Sequence, residues 1–250
     1  MKPRRLDLEL VERSLAESRE QAQRLILAGE VWVDGQRWDK ASKLCAASAG
    51  IEVRGGDRYV SRGGHKLEGA MTGFQLDVTD WRCLDLGAST GGFTDCLLQH
   101  EAAHVTAVDT GFGQIAMKLR SDSRVRLLER TNARNLDPGA LEEGRDVPAL
   151  TLLVMDVSFI SATLLLAPVF TAAPKLTEAV ILVKPQFEAG RGNVGKGGIV
   201  RDPGAHQLAI DRVADCVRGL GWEVVETIPS PITGMEGNKE FLLYAKRAAG

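Results

Sequence analysis

The sequence has only four cysteines, Cys45, Cys83, Cys96 and Cys216, and no two of them form a C-x-x-C pair. That scatter argues against a zinc site and against a disulfide framework, so no metal is expected. Long apolar runs are missing as well. The longest, such as residues 164–169, fall far short of a membrane span, so no membrane partner is expected. The opening residues MKPRR run into polar sequence without an apolar core segment. No signal peptide is therefore expected, and the chain reads as cytoplasmic. Charge of one sign is also absent, since 31 Lys+Arg against 33 Asp+Glu leave a net charge of −2. Bulk charge thus gives no argument for nucleic acid. Residues 1–60 hold 11 Lys+Arg against 10 Asp+Glu, so a basic surface there must come from arrangement on one face. Two nucleotide fingerprints each lack a residue. The dinucleotide pattern G-x-G-x-x-G needs glycine where Ser89 stands, which disfavours NAD. Residues 190–196, GRGNVGK, match G-x-x-x-x-G-K, but Gly197 replaces the Ser/Thr that a P-loop uses for Mg²⁺. Residues 189–198 read instead as a mobile glycine loop beside Lys184.

What is present describes an ordinary globular protein: 250 residues, 44% hydrophobic and 26% charged, enough for one large domain or a medium domain plus a small one. The chain is organised around residues 81–95, WRCLDLGASTGGFTD. Residues 83–86 form a short apolar run that reads as a buried strand. Gly87 stops it, and Ala88, Ser89, Thr90, Gly91 and Gly92 lead into a helix start at Phe93. In a strand, glycine loop, helix arrangement, backbone N–H groups and the helix N-terminus face a ligand, and missing side chains let it approach. Asp85 lies before the first glycine, and Asp109 ends the next apolar run, HVTAVD. An acid at the end of the second strand suits a ribose diol. Asp85 is placed to hold a cationic group. S-adenosylmethionine carries both a ribose and an amino-acid end, and fits this pair.

Along the chain, Leu6, Leu8, Val11 and Leu15 mark a short helix with one apolar side. Ser18 is the expected N-cap of a second helix, with Gln21 at capping-box spacing. Ala22, Leu25 and Ile26 make its apolar stripe, Gly29 its stop, and Arg19, Gln23 and Arg24 its outer face. Val31-Trp32-Val33, Asp34-Gly35 and Gln36-Arg37-Trp38 read as a tight hairpin, with residues 51–53 as a further strand. These roughly 55 residues are close to the smallest size that folds alone. RLDLELVERSLAESREQAQRLILAGEVWVDGQRWDKAS resembles the S4 RNA-binding domain over about residues 4–55. In that family the second helix and the hairpin form the RNA face. The resemblance therefore points to Arg5, Ser18, Arg19, Arg24 and Lys40.

Residues 54–57 have turn composition, and a linker is expected over 56–61, between a domain at 1–55 and a larger one at 62–250. Ser61 to Leu67, SRGGHKL, opens the larger domain, with residues 66–71 helical. Strands are expected at 82–86, 104–109, 125–129, 150–157, 179–184, 222–228 and 240–246. A helix is bounded by Asp202 as N-cap and Pro203 as first residue, and ends near Gly219-Leu220-Gly221. This alternation predicts an α/β fold with a mostly parallel, doubly wound seven-stranded sheet, and a ligand at the carboxyl ends of its strands.

Three charged residues stand at strand ends. Asp156 follows LLVM, Lys184 follows VILV, and Glu240 precedes FLLY. A carboxylate and an amine at adjacent strand ends beside a cofactor loop make a natural acid–base pair. Pro185 holds Lys184 extended and aims its side chain off the sheet edge. RGGHKL, DLGASTGGFTDCLLQ, MDVSFIS and KPQFE resemble the TlyA (hemolysin A-type) family, whose larger domain is a class I, Rossmann-like, FtsJ-like methyltransferase. The FtsJ-like group uses a K-D-K-E tetrad for ribose 2′-O-methylation. The matching positions here are Lys66, Asp156, Lys184 and Glu240. One departure is Thr90, where the FtsJ group proper usually has proline.

The resemblance implies S-adenosylmethionine as cofactor and ribosomal RNA or ribosomal subunits as partner, with methylation at a cytidine ribose. Lys184, beside Lys66 and away from water, would take the proton of the 2′-OH or steer its lone pair. Asp156 and Glu240 would hold the lysines, and Asn132 is the candidate for the adenine edge. A non-catalytic ribosome-assembly factor is the main rival, disfavoured by the intact tetrad and loop. The haemolysin reading finds no spanning helix or long alternating strands.

Overall fold

The structure, a computed structural model, describes residues 3–27, 29–53, 58–141, 149–234 and 237–248. It divides into two compact units, Met1–Arg58 and Tyr59–Gly250. The turn at 54–57 lies outside the described residues.

In the first unit, β1 (Arg4–Arg5) leads into α1 (Leu6–Glu12), followed by α2 (Arg19–Leu27), β2 (Val31–Val33), β3 (Gln36–Arg37), β4 (Leu44–Cys45) and β5 (Ile51–Val53). Ser18 caps α2 as expected, its Oγ accepting from Gln21 N–H at 3.2 Å. The Gln21 side chain reaches back to Glu17 N–H at 2.6 Å rather than to Ser18 itself. The β2–β3 turn places Asp34 at φ 50° and Gly35 at φ 77°, the double left-handed turn whose twist suits a two-residue hairpin. β5 pairs antiparallel with the other edge of β2. Leu6, Leu10, Ala22, Ile26, Val31 and Val33 are buried between helices and sheet. Arg19, Gln23 and Arg24 are all exposed, as expected of the outer face of α2. Arg19 Nε and Gln23 Nε2 also reach the buried Asp7 carboxylate, at 3.0 and 2.9 Å.

The second unit opens at Tyr59, inside the expected linker, because the Tyr59 ring is buried against the first turn of the next helix, where Gly64 leaves room for it. Its elements are α3 (Gly63–Phe74), β6 (Arg82–Leu86), α4 (Gly92–Gln99), β7 (His104–Val108), α5 (Met117–Arg120), β8 (Val125–Leu128), α6 (Pro138–Leu141), β9 (Leu152–Met155), α7 (Thr163–Ala172), β10 (Glu178–Val183), α8 (Pro185–Glu188), α9 (Pro203–Gly219), β11 (Trp222–Pro229) and β12 (Phe241–Arg247). Asp202 caps α9 by accepting from Gly204 and Ala205 N–H, with Pro203 at the first helical position.

The seven strands run in the order β11-β12-β10-β9-β6-β7-β8. The expected seven-stranded, doubly wound sheet is therefore present. Only β12 runs against its neighbours β10 and β11. Strand side chains alternate between two cores. Leu84, Leu86, Leu153, Met155 and Ile181 face α7 and α9. Cys83, Val105, Val154, Val180 and Leu182 face α3 and α4. The connections leave β6 and β9 in opposite directions, which opens a crevice at their carboxyl ends. Among the described residues no helix is long and apolar enough to cross a membrane.

Candidate active site

Sheet register gathers the charged residues that the sequence leaves far apart. Leu86 pairs with Met155, so Gly87 and Asp156 leave the sheet side by side. A Cβ at Gly87 would lie 2.4 Å from the Asp156 carbonyl oxygen, and Gly87 takes φ 85°; only glycine meets both demands. Val183 pairs with Phe241 across the antiparallel edge, which brings the start of β12, and with it Glu240, to the carboxyl end of β10 beside Lys184. Lys184 is extended, at φ −110° and ψ 103°, as its position before Pro185 requires. Lys66 enters from the first turn of α3.

These four side chains form a continuous ionic chain. Glu240 Oε2 lies 2.6 Å from Lys66 Nζ, Lys66 Nζ lies 3.9 Å from Asp156 Oδ2, and Asp156 Oδ1 lies 2.6 Å from Lys184 Nζ. Lys184 Nζ also donates to Ser158 Oγ at 2.7 Å. Both lysines are only 8% exposed. Two buried ammonium groups persist because carboxylates alternate with them and cancel their charge. The two lysines do not meet directly, because Asp156 stands between them. Lys184 thus donates to Ser158, stands in ion-pair contact with Asp156, and keeps the remainder of its donors for an incoming group.

The MDVSFIS stretch carries two further residues, Ser158 and Phe159, whose part shows only in three dimensions. The Phe159 ring is 91% exposed, with its backbone at φ 65°, and leans on Phe187 at a centroid distance of 5.7 Å. An exposed ring held on a strained turn beside the charged chain is a functional signal that only the backbone angle reveals. Below it, buried Glu188 accepts from Ser161 Oγ at 2.6 Å and Ala162 N–H at 2.7 Å, tying the loop after β9 to the short helix after Lys184.

The glycine loop is built differently from the expectation. Gly87 and Ala88 N–H donate to Val108 O, Ser89 N–H to Asp109 Oδ2, and Gly91 N–H to Ala88 O. These four amides serve the loop itself rather than a ligand. Gly92 packs against α3, where a Cβ would come within 2.9 Å of Gly64 N. Phe93 is buried in the core between α3 and α4, so its side chain faces away from the loop surface. Thr90 and Ser89 are exposed on that surface. Asp109 accepts from Ser89 N–H at 2.8 Å and Gly111 N–H at 2.6 Å, one bond on each oxygen, which leaves a lone pair on each for a diol. Asn132 lies on the surface after β8, and its Oδ1 caps the following turn by accepting from Arg134 N–H at 3.0 Å, leaving its amide group outward.

Asp85 lies fully buried under the loop. Thr94 Oγ1 donates to its Oδ2 at 2.6 Å, while its Oδ1 has no hydrogen-bond partner among the described residues. Burial pushes its carboxyl up to about 7, with the Thr94 bond opposing and the charges of Asp156 and Asp109 adding. Between about pH 4 and pH 7 the folded protein therefore keeps a proton that the unfolded chain has released. Stability is greatest below this window and falls as pH rises through it, by about 4 kcal/mol in all. Asp85→Asn is expected to remove that slope and raise the melting temperature at pH 8. Denaturant melts of both proteins from pH 5 to pH 8 check it; parallel stability curves would mean that Asp85 titrates as an ordinary acid. Among the described residues no cluster of His, Cys, Asp and Glu could hold a metal ion.

Among known proteins, the FtsJ-like methyltransferase family matches residues 59–247, and the S4 domain matches residues 4–51. The chain is 47% identical to the 16S/23S rRNA (cytidine-2′-O)-methyltransferase TlyA of Mycobacterium tuberculosis, covering 97% of this chain and 89% of that one. It is 42% identical to Hemolysin A of Brachyspira hyodysenteriae, over 96% and 98% of the two chains. A solved structure of a candidate hemolysin from Streptococcus thermophilus superposes with a TM-score of 0.74 at 40% identity, covering 100% of this chain and 90% of that one. With a glycine loop, strand-end acids and the Lys66–Asp156–Lys184–Glu240 chain on the class I sheet, the protein belongs to the FtsJ-like methyltransferases, in the TlyA branch that carries an N-terminal S4 domain.

Proposed function

We propose that the protein transfers a methyl group from S-adenosylmethionine to the 2′-hydroxyl of a cytidine in ribosomal RNA. The observation that carries this reading is the alternating ionic chain of two lysines and two carboxylates at the carboxyl edge of the sheet, next to the glycine loop after β6. S-adenosylmethionine supplies a methyl group already activated by its sulfonium centre. Asp109 takes its ribose diol, the unpartnered Asp85 Oδ1 its cationic end, and the outward amide of Asn132 its adenine edge. Gly87, Ala88, Ser89, Thr90, Gly91 and Gly92 shape the surface between them, and Phe93 supports that surface from below.

On the acceptor side, Lys184 orients the ribose hydroxyl and, once its ammonium has passed a proton to solvent, receives the hydroxyl proton on the free amine as the oxygen attacks. Asp156 fixes Lys184 from one side and Ser158 from the other. Lys66, clamped by Glu240, fixes Asp156 in turn. Holding the hydroxyl in line with an activated methyl accounts for most of the acceleration, because orientation alone is worth several orders of magnitude. Phe159 presents a face on which a base drawn out of its stack is held next to Lys184. Arg5, Ser18, Arg19, Arg24 and Lys40 of the S4 unit make the RNA anchor, with Ser18 acting through the cap it places on α2.

Two measurements test this reading. Incubation with labelled S-adenosylmethionine and separated ribosomal subunits, followed by nucleoside analysis, should place the label on 2′-O-methylcytidine. Label on a base, or none on either subunit, would overturn it. Asp109→Ala should weaken S-adenosylmethionine binding by about 1–3 kcal/mol, the scale for losing hydrogen bonds to a charged partner. Removal of that carboxylate also strips Ser89 and Gly111 N–H of their acceptor, so the variant should lose some stability as well. Titration calorimetry showing unchanged affinity in a folded variant would place Asp109 outside the site.

A further inference from the structure

Asp7, the second residue of α1, has an unusual set of partners for a helix-start acid. Its side chain is 0% exposed and accepts five N–H donors. Arg5 approaches with Nε at 3.0 Å and Nη2 at 2.9 Å, Arg19 with Nε at 3.0 Å, Gln23 with Nε2 at 2.9 Å, and the Leu8 amide at 3.1 Å. The Arg5 guanidinium, then Gln23 and Arg19, hold the carboxyl well below the usual carboxylate range. A buried carboxylate that served only to tie α1 to α2 would be expected to bury its partners as well. Here the two arginine side chains remain 38% and 55% exposed.

The orientation of the two guanidinium groups is the informative feature. Asp7 engages Arg19 through Nε alone. Among the described residues both terminal nitrogens of Arg19, and Nη1 of Arg5, make no hydrogen bond. Those outer edges are the ones that meet a phosphate as a fork, with two parallel N–H donors. An unrestrained arginine loses rotamer freedom when it binds, and a restrained one has lost it already. The first 60 residues carry an excess of only one basic charge, so placement rather than quantity must make this surface attractive to a polyanion.

We propose that Asp7 is a positioning residue that presets Arg5 and Arg19 as a two-pronged clamp for RNA phosphates. This rests on reading the S4 unit as the RNA anchor, and the test separates the two ideas. The full-length protein and its Asp7→Asn, Arg19→Ala, Arg19→Lys and Gln23→Ala variants are titrated with purified ribosomal RNA across a salt series. Asn keeps the size of Asp7 but removes both ion pairs, so Asp7→Asn should bind RNA about tenfold more weakly near 0.1 M salt. The slope of log affinity against log salt should shrink by about 0.7–0.9 for each phosphate that is no longer neutralised. Gln23→Ala removes one hydrogen bond to Asp7 and neither arginine, and should keep the slope.

A purely structural Asp7 would lower the melting temperature of Asp7→Asn and leave the slope unchanged; that result overturns the proposal. If Arg19→Ala itself changes neither affinity nor slope, the RNA-anchor reading fails first, and the clamp with it. If Asp7→Asn does not fold, Arg19→Lys decides. A lysine can reach Asp7 or a phosphate but cannot serve both as a fork, so affinity and slope should fall. Wild-type RNA binding by Arg19→Lys would show that the fork is not used.

Discussion

Replacing Lys184 with alanine should abolish methyl transfer while leaving S-adenosylmethionine affinity nearly intact. The reason is geometric. Lys184 Nζ sits at the end of the ionic chain, 2.6 Å from Asp156 and 2.7 Å from Ser158, and none of the residues read as cofactor ligands touches it. Loss of the ammonium also leaves the Asp156 carboxylate facing Lys66 alone. Lys184→Arg should fail too, although it preserves the charge. A guanidinium stays protonated at any accessible pH and cannot take the hydroxyl proton, and its planar fork does not fit the place of a compact ammonium held between two acceptors. Single-turnover assays of the two variants, run beside cofactor calorimetry, separate the possibilities. A loss of at least about a hundredfold in rate is the scale for removing a positioned proton acceptor. Substantial turnover by the arginine variant would make Lys184 a positioning charge and move the proton elsewhere.

The charged strand ends are legible in the sequence because each interrupts an apolar run at the point where a buried strand must meet solvent. Asp109, Asp156 and Lys184 announce themselves in this way, and the strand order of an α/β alternation then sends them to one edge. Glu240 is different. It precedes its strand, and it reaches the same edge only because β12 runs antiparallel, a fact that apolar alternation does not encode. The seven expected strands fall within two residues or so of their observed ends for the same reason.

What local pattern misses is what depends on distant partners. Ser158 and Lys184 are 26 residues apart, and their bond follows from the register of β9 with β10. The glycine loop reads as a set of amides facing a ligand. Four of its amides instead close on Val108, Asp109 and Ala88, because a turn this tight brings its own acceptors within reach. Phe93 follows the loop directly, yet it belongs to the core under α3. Arg19 falls on the polar face of a helical wheel and so reads as free surface. The wheel carries no information about Asp7, twelve residues earlier, which captures its Nε.

Deleting residues 1–58 should separate the two activities of the chain. The remaining unit has its own two cores, one on each face of the sheet, and every residue read as a cofactor ligand or catalytic group lies within it. Cofactor affinity is therefore expected within a few-fold of the full chain. The position of the cut matters. Tyr59 is buried over Gly64, two residues before Lys66, and Val60 N–H donates to Asp95 Oδ2 at 2.7 Å, so a cut after residue 60 would unseat the start of α3. RNA binding should behave quite differently. Beyond position 60 the chain holds 20 Lys+Arg against 23 Asp+Glu, a poor balance for attracting a polyanion. The deleted unit carries Arg5 and Arg19, their outer edges outward, together with exposed Arg24 and Lys40. Each neutralised phosphate makes affinity fall with salt by a power of about 0.7–0.9, so removing these side chains should weaken binding and also flatten its salt dependence. Methylation should collapse through RNA affinity rather than through the chemical step: raising RNA concentration should recover rate in the truncated protein, whereas it should not in Lys184→Ala. Filter binding of ribosomal RNA across a salt series, with methylation measured against RNA concentration, is the test. If residues 59–250 bind and methylate RNA as well as the full chain, with the same salt slope, the S4 unit is not the substrate anchor.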